Sequence, residues 1–330
     1  MQVIAVVGGG AWGTALASVA ARNGRDVILW AREPEVVSAI NVSSENTSFL
    51  PGIALPEGIR ATSDFADLAA AEAVLMVPPA QYMRALSESL VPHLKGGAPA
   101  VICSKGIEMS TGALMSEVLA ETMPRRPLAV LSGPTFAGEV ARGLPAAVTL
   151  ACKYESIRKT LVASLGQPTF RTYGSSDLVG AQIGGAVKNV IAIACGIVEG
   201  RRLGENARAA LITRGMSEIL RFGQALGAER ETVMGLSGMG DMILTCSSPQ
   251  SRNMSLGMAL GEGRSLDEIM GGRTSVSEGV HSARVLTEIA ARHKLDMPIC
   301  EAVAAILHQG HSIDDVIDDL LNRPLRPENE

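Results

Sequence analysis

The chain has 330 residues, more than one compact core usually holds, so two domains are expected. Apolar residues make up 47% and charged residues 19% of the chain, which is typical of a folded globular protein and excludes a disordered one. The formal net charge is −5 and no long basic run occurs, which argues against a nucleic-acid partner but not against a small anionic substrate.

The first apolar stretch, residues 3–21, lacks the features of a secretory signal and of a membrane span. Only Met1 and Gln2 precede it, so it has no basic flank. Four glycines lie near its start, at Gly8, Gly9, Gly10 and Gly13. The five cysteines are widely spaced without a CxxC pair, which indicates neither a disulfide framework nor a zinc site. We therefore expect a cytoplasmic protein with no membrane span and no metal.

Short apolar runs alternate with helical patterns in the first half of the chain. The predicted strands are Gln2–Val7, Asp26–Ala31, Ala73–Val77, Pro99–Ser104, Leu128–Leu131 and Ala146–Ala151. The predicted helices between them are Thr14–Asn23, Gln81–His93 and Thr111–Met123. Nearly continuous apolar strands separated by helices are typical of a parallel sheet covered on both faces. The first half is therefore predicted to be an α/β domain with a doubly wound, Rossmann-type parallel sheet.

Helical patterns follow one another in the second half. They cover Leu178–Val198, Ala207–Leu226, Ser255–Glu262, Leu266–Met270, Ser277–His293 and Met297–Gln309. Few strand-like runs remain there, so this half is predicted to be an all-helical C-terminal domain. The change of pattern near Gly174–Asp177 divides the chain into residues 1–176 and residues 177–330.

A glycine-rich loop, Gly8-x-Gly10-x-x-Gly13, follows the first predicted strand and opens the first predicted helix. In this context Gly8 allows a tight turn, Gly10 lets a pyrophosphate approach the backbone, and Gly13 lets the helix pack closely on the strand. The N-terminus of the helix adds unpaired N–H groups and a partial positive charge. The loop therefore predicts a dinucleotide site in residues 1–176.

The residues after the second predicted strand bear on the choice of cofactor. An acid at this place usually bonds the adenosine ribose of NAD, whereas a basic residue can receive the 2′-phosphate of NADP. Ala31 and Arg32 occupy the relevant positions and Glu33 follows. We interpret Arg32 as favouring NADP over NAD; a one-residue shift in register, or a merely solvated Arg32, would remove that preference.

Polar residues in glycine-bounded settings form a candidate site. They are Lys105, Gly133, Thr135, Lys188, Asp241, Ser251, Arg252 and Asn253. Lys105 and Gly133 each follow a predicted strand, at the edge where doubly wound sheets bind ligands. Lys188 lies on an apolar helix, where it must either extend to solvent or take part in a site. The compact donors at 251–253 suit an anionic phosphate group.

At this point the sequence resembles a known family, the bacterial-type NAD(P)-dependent glycerol-3-phosphate dehydrogenases. The resemblance rests on seven stretches that run in family order over nearly the whole chain. They are GGGAWGTALA, CSKGIE, LSGPTFAGEV, GAVKNVIAIACGIVEG, NARAALITRGMSEI, GLSGMGDMILTCSSPQSRN and VSEGV. Together they are specific to the family, although none would be alone.

The resemblance implies a role for each matching residue. Cofactor contacts are implied for Gly8, Gly10, Ala11, Trp12, Gly13, Arg32, Lys105, Ala137, Arg252, Val276 and Glu278. Substrate contacts are implied for Lys105, Gly133, Thr135, Lys188, Asp241, Ser251, Arg252 and Asn253. Many relatives have serine in place of Ala11, so only its backbone can act here. Lys188 matches the general acid/base of the family.

The implied reaction is the reversible reduction of dihydroxyacetone phosphate, a small phosphorylated triose, to sn-glycerol 3-phosphate, the glycerophospholipid backbone. A homodimer is also implied. An ordinary lysine pKa of about 10.4 is too high for a base near neutral pH. Burial and Lys105 would lower the pKa of Lys188 and Asp241 would raise it, and the sequence leaves the balance open.

Two other classes of function remain open from the sequence, another two-domain reductase and a nucleotide sensor. Ketopantoate reductases and 3-hydroxyacid dehydrogenases also join a glycine loop to a helical domain that carries a lysine. The triplet Ser251–Asn253 and the order of the motifs favour the phosphorylated triose instead. A non-catalytic nucleotide sensor has no need for Lys105, Lys188 and Asp241 together.

Overall fold

The computed structural model describes residues 1–271, 278–324 and 327. Eight strands, β1 to β8, form one sheet in this part of the chain. They are Val3–Val7, Asp26–Trp30, Ile59–Thr62, Ala73–Met76, Ala100–Ile102, Leu128–Ser132, Ala146–Cys152 and Phe170–Ser175. The strand order is β3-β2-β1-β4-β5-β6-β7-β8. The order reverses between β1 and β4, and the carboxyl ends of such neighbours form the ligand-binding crevice of doubly wound sheets.

Six α-helices occur between the strands in the described part of the first half. Helices α1 to α6 are Ala11–Arg22, Pro34–Ser43, Met83–Leu90, Met115–Thr122, Ala137–Ala141 and Glu155–Leu165. Short 3-10 helices occupy Phe65–Ala70, Ala80–Tyr82 and Val91–His93. Apolar side chains on the two faces of the sheet belong to two separate buried clusters, one packed against α1 and one against α3 and α4. This α/β arrangement confirms the predicted Rossmann-type fold.

The remaining described helices follow the sheet. Helices α7 to α11 are Leu178–Gly200, Glu205–Ala225, Arg230–Val233, Asp241–Cys246 and Arg252–Gly261, with a π-helix at Leu236–Gly240. Helices α12 to α15 are Leu266–Gly271, Glu278–Arg292, Pro298–His308 and Ile313–Leu321. The predicted all-helical second half is therefore confirmed for the described residues.

One strand direction corrects the prediction of a parallel sheet. β7 pairs antiparallel with β6, whereas the other neighbouring pairs among the described strands are parallel. The connection between them contains only α5, a helix of five residues. Such a helix spans about 7.5 Å, less than half of the roughly 16 Å that five strand residues cover. The chain therefore returns beside β6 in the opposite direction.

Other differences concern elements that the sequence left unassigned or placed differently. The patterns did not predict β3, β8, α2, α5, α6, α9 or α10. The predicted helix from Thr111 begins only at Met115, because an antiparallel bridge between Ile107 and Leu114 first closes a loop. All five cysteines are buried and free of disulfide bonds, as expected for cysteines that pack as small apolar side chains.

Helix α7 is the central element of the second half. Among the described residues it is the helix long and apolar enough to cross a membrane by length and composition, and its apolar window is wholly buried in the protein. It crosses α11 through a seam of four glycines: Gly196, Gly200, Gly257 and Gly261. A Cβ on Gly196 would lie 2.1 Å from the Met254 carbonyl oxygen. The glycines therefore let the two helix backbones touch, which brings the start of α11 towards Lys188.

Candidate active site

The glycine loop has the shape that a pyrophosphate requires. Gly8 has φ +126°, and a Cβ there would lie 2.9 Å from the Val77 carbonyl oxygen at the end of β4. A Cβ on Gly13 would lie 1.9 Å from the Gly8 carbonyl oxygen, so α1 packs directly on the loop. Gly10, the N-cap of α1, has no such neighbour within 4 Å. The loop is thus packed against protein at Gly8 and Gly13, whereas Gly10 has open space beside it.

Two buried polar atoms at the edge of the sheet that carries the glycine loop fit a bound dinucleotide. The indole Nε1 of Trp12, in the first turn of α1, is buried without a hydrogen-bond partner in the structure. The same holds for Oε2 of Glu278, whose Oε1 accepts a 3.4 Å bond from the Ala80 backbone N–H. Burial raises the pKa of Glu278. Buried polar atoms normally have partners, so a donor and an acceptor left without one suit a ligand with phosphates and hydroxyls.

The residues that follow β2, Ala31 and Arg32, bear on the choice between NAD and NADP. Ala31 is buried against the loop, since a Cβ on Gly9 would lie 2.5 Å from the Ala31 Cβ. Arg32 is the next residue and its side chain is 77% exposed. Its guanidinium pairs with Glu33 at 2.8 Å. A 2′-phosphate that used Arg32 would therefore compete with Glu33 for the same cation.

The centre of the candidate site is one buried carboxylate held by two lysines. Lys188 Nζ donates to Oδ1 of Asp241 at 2.5 Å, and Lys105 Nζ donates to Oδ2 at 2.7 Å. Lys188 also donates to the Thr245 hydroxyl at 2.6 Å, and Lys105 to the Gly133 carbonyl oxygen at 3.1 Å. The structure thus brings together residues 105, 133, 188 and 241, four of the candidates from the sequence.

Glycines that allow close backbone contacts position the cluster of Lys105, Lys188 and Asp241. The π-helix ends at Gly240, so Asp241 is the first residue of α10. A Cβ on Gly184 would lie 2.4 Å from Gly238 Cα, which shows how tightly α7 packs on this turn. A Cβ on Gly185 would lie 3.1 Å from Cγ of Lys105. Single turns of π-helix are frequent at functional sites, and here one directs Asp241 at Lys188.

The sequence left open whether the pKa of Lys188 is raised or lowered, and burial in the structure lowers it. Only 7% of its side chain is exposed. Burial lowers its pKa to about 8; the Asp241 carboxylate opposes this shift and the Lys105 ammonium adds to it. Lys188 therefore titrates close to neutral pH, where one group can both give and accept a proton.

The triplet at 251–253 begins helix α11. Ser251 is its N-cap, and the Ser251 hydroxyl accepts a 3.2 Å bond from the Met254 N–H. Arg252 is exposed at the first helical position. Asn253 is buried; its Nδ2 donates to Asn189 Oδ1 at 2.9 Å. Its Oδ1 accepts from the Gly279 N–H at 3.1 Å, so Asn253 joins α7, α11 and α13.

The other predicted residues lie around this cluster or outside the described chain. Thr135 donates from its hydroxyl to the Gly133 carbonyl oxygen at 3.3 Å. Ala137 is the first residue of α5 and packs against the core beside α1. Ala11 is the first residue of α1. Val276 lies outside the described residues.

Two residues of the cluster were given no site role from the sequence: Thr245 was not singled out, and Asn189 was noted only as the polar neighbour of Lys188. Thr245 bonds Lys188, and Asn189 links Asn253 to the Gly185 carbonyl oxygen at 3.2 Å. Thr245 follows Asp241 by four residues, which puts both on one face of a helix. That spacing could have identified Thr245, had α10 been predicted as a helix.

Comparison with known proteins finds the same family that the sequence motifs resemble. Residues 3–158 match the family described as NAD-dependent glycerol-3-phosphate dehydrogenase N-terminus, and residues 177–318 match the corresponding C-terminus. A glycerol-3-phosphate dehydrogenase [NAD(P)+] of Parvibaculum lavamentivorans is 61% identical over 98% of both chains. One of Caulobacter vibrioides is 57% identical over 99% of both.

A solved structure agrees with these matches. The glycerol-3-phosphate dehydrogenase of Coxiella burnetii superposes with a TM-score of 0.93 at 37% identity, over 98% of this chain and 99% of that one. Its fold therefore extends over both halves of the protein. Sequence, structure and site agree that the chain belongs to the NAD-dependent glycerol-3-phosphate dehydrogenase family.

Proposed function

We propose that the protein reversibly reduces dihydroxyacetone phosphate to sn-glycerol 3-phosphate with NADPH or NADH. The observation that carries the proposal is the buried Asp241 carboxylate with Lys105 on one oxygen and Lys188 on the other. The printed names of its relatives, glycerol-3-phosphate dehydrogenase [NAD(P)+], support the reaction class and the cofactor.

Lys188 is the proposed general acid and base. Its ammonium donates a proton to the C2 carbonyl oxygen during reduction, and its neutral amine accepts the hydroxyl proton during oxidation. Asp241 and Thr245 hold the Nζ atom in place. Lys105 places a second positive charge beside the oxygen that gains negative charge. The nicotinamide, when bound, supplies the hydride.

The residues present fit the dinucleotide at three places. The open face of Gly10 and the N-terminus of α1 would hold the pyrophosphate, with Trp12 beside them. Arg32 would meet the 2′-phosphate, so we propose a preference for NADP over NAD. Glu278 would meet the cofactor from α13.

The phosphate of the substrate is assigned to the start of α11. Arg252 would pair with it, aided by the Ser251 hydroxyl and the second N–H of the Asn253 amide. Gly133 and Thr135 would line the opposite side. This arrangement fixes the ketone relative to Lys188, and such orientation can contribute about 7–11 kcal/mol in well-aligned reactions.

The remaining parts of the proposal concern the setting of the enzyme. Residues 1–176 form the dinucleotide-binding domain, and residues 177–330 form the helical substrate and catalytic domain. The enzyme is a cytoplasmic homodimer whose product serves as the backbone of glycerophospholipids.

The pH dependence tests the role of Lys188. With a pKa of about 8, reduction needs the protonated lysine, so kcat should be constant at low pH and fall as the pH rises through about 8. Oxidation needs the neutral amine, so its kcat should rise over the same interval. Initial rates in both directions between about pH 6 and pH 10 check this. Profiles that change in the same direction would contradict the assignment.

The cofactor preference is tested at Arg32. Replacing Arg32 by alanine should raise the KM for NADPH by roughly three- to tenfold, since an exposed cation forms only a modest pair with the 2′-phosphate. The KM for NADH should stay within about twofold, because NADH lacks that phosphate. Arg60→Ala is the matched control, since Arg60 is another exposed arginine of this domain, paired with Asp67. Equal changes for both cofactors would remove the proposed role.

The function itself is tested by initial rates with dihydroxyacetone phosphate, comparing NADPH with NADH by their absorbance. Oxidation of either cofactor with this ketone, and not with ketopantoate or a 3-keto acid, supports the proposal. Activity confined to one of those acids would assign the enzyme to another reductase class. Cofactor binding without oxidation by any ketone would indicate a nucleotide sensor.

A further inference from the structure

A buried amide supports the glycine loop from outside the loop itself. Asn46 lies between α2 and β3, and its relative exposure is 0%. Its Nδ2 donates to the Gly9 carbonyl oxygen and to the Thr14 hydroxyl, both at 2.8 Å. Its Oδ1 accepts a 3.1 Å bond from the Phe49 N–H. Both donor hydrogens of the amide are therefore used on the loop and the helix that follows it.

The bond to Gly9 fixes the direction of the next N–H group. The peptide that joins Gly9 to Gly10 is planar and trans, so its C=O and its N–H point in opposite directions. Because Asn46 holds the carbonyl inward, the Gly10 N–H points outward. The backbone at Gly10 is also unobstructed, since a Cβ there would meet nothing within 4 Å.

Asn46 is itself held in a braced segment, residues 44–55. The Leu55 N–H donates to the Ser44 carbonyl oxygen at 2.7 Å, and the Gly52 N–H donates to Oε1 of Glu45 at 2.8 Å. Leu50 and Leu55 are buried in the core beside α1. The segment is therefore anchored at both ends, and the amide has a fixed position from which to act.

We propose that Asn46 is a positioning residue for the cofactor: by holding the Gly9 carbonyl it directs the Gly10 N–H at the pyrophosphate. The role rests on the proposed function, since it requires that the glycine loop binds a dinucleotide. Asn46 does not touch the reacting atoms, so its effect falls on cofactor affinity and leaves proton transfer unchanged. Preorganised donors of this kind reduce the ordering that binding would otherwise require.

The test compares Asn46→Asp with the unmodified enzyme. A carboxylate has no N–H for the Gly9 carbonyl and repels it, so the peptide loses its fixed direction. We expect the Kd for NADPH, measured by the change in nicotinamide fluorescence, to rise at least about tenfold. The kcat at saturating cofactor and the KM for the ketone should stay within about twofold, because Lys188 and Asp241 are untouched.

Asn41→Ala is the matched control. Asn41, on α2, also bonds backbone at both ends of its amide, at 2.9 Å to each of the Ala61 N–H and carbonyl oxygen. It supports β3 and not the loop, so its loss should lower the melting temperature without changing the Kd for NADPH. If Asn46→Asp does not fold, Asn46→Ala removes the same donors without adding charge.

The outcomes separate the two proposals. An unchanged Kd in the Asn46 variants, or an equal rise in Asn41→Ala at the same loss of stability, overturns the role of Asn46 alone. An unmodified enzyme that binds neither NADPH nor NADH overturns the proposed function and the role of Asn46 together.

Discussion

Lys188→Ala is expected to lower kcat for dihydroxyacetone phosphate by about 10²- to 10⁴-fold, the usual contribution of a positioned acid or base. Alanine leaves no group to protonate the carbonyl oxygen as hydride arrives. The Kd for NADPH should remain near normal, because the glycine loop lies on β1 and α1 and Lys188 on α7. Stopped assays with high enzyme concentration and a separate cofactor titration measure the two quantities.

Folding and charge are controlled in the same experiment. Asp241 keeps its bond to Lys105 when Lys188 is removed, so the buried carboxylate retains a counter-ion. Lys188→Met preserves the side-chain volume and should lose the same activity. Lys159→Ala removes an exposed lysine of α6 that pairs with Glu155, and it should leave kcat unchanged. Turnover retained in both Lys188 variants would remove the lysine from the mechanism.

Arg252→Ala is expected to raise the KM for dihydroxyacetone phosphate by roughly 10- to 100-fold, the effect of losing one charge-assisted bond. The variant should act on unphosphorylated dihydroxyacetone as well as the unmodified enzyme does, because that ketone has no phosphate to anchor. Parallel measurements of kcat/KM with the two ketones give the ratio directly.

Arg264→Ala serves as the comparison for Arg252. Arg264 is exposed in the turn after α11, so its removal changes the net charge equally without altering the start of the helix. Equal losses of Arg252→Ala towards both ketones would contradict the assignment of Arg252 as the phosphate anchor.

The central cluster was predictable because each member has a local signal. Lys105 follows an apolar strand, Lys188 interrupts an apolar helix, and Asp241 ends a glycine-rich turn. Parallel strands bring their carboxyl ends to one edge, so the sequence was enough to place Lys105 beside Gly133, which follows the next strand. Thr245 has no such signal, because its role depends on a six-residue helix that short-range periodicity cannot reveal.

Other features depend on contacts between distant residues. The pKa of Lys188 could not be assigned because burial and two opposing charges act on it together. Asn46 lies in a polar stretch, and its bond to Gly9 joins residues that are 37 positions apart. The direction of β7 was missed because an apolar strand reads alike in both directions.

That strand direction determines where Lys188 lies relative to the sheet. Val130 pairs with Ala151 and Ala151 with Ser175, so β8 ends level with the middle of β6 and runs away from the cofactor edge. Helix α7 then rises about 10 Å over seven residues to Gly185, which lies against Ser132 at that edge. With β7 and β8 in the opposite direction, the chain would leave the sheet already at that edge, and the same helix would carry Lys188 beyond Lys105. The antiparallel direction of β7 therefore sets the position at which Lys188 and Lys105 meet on the Asp241 carboxylate.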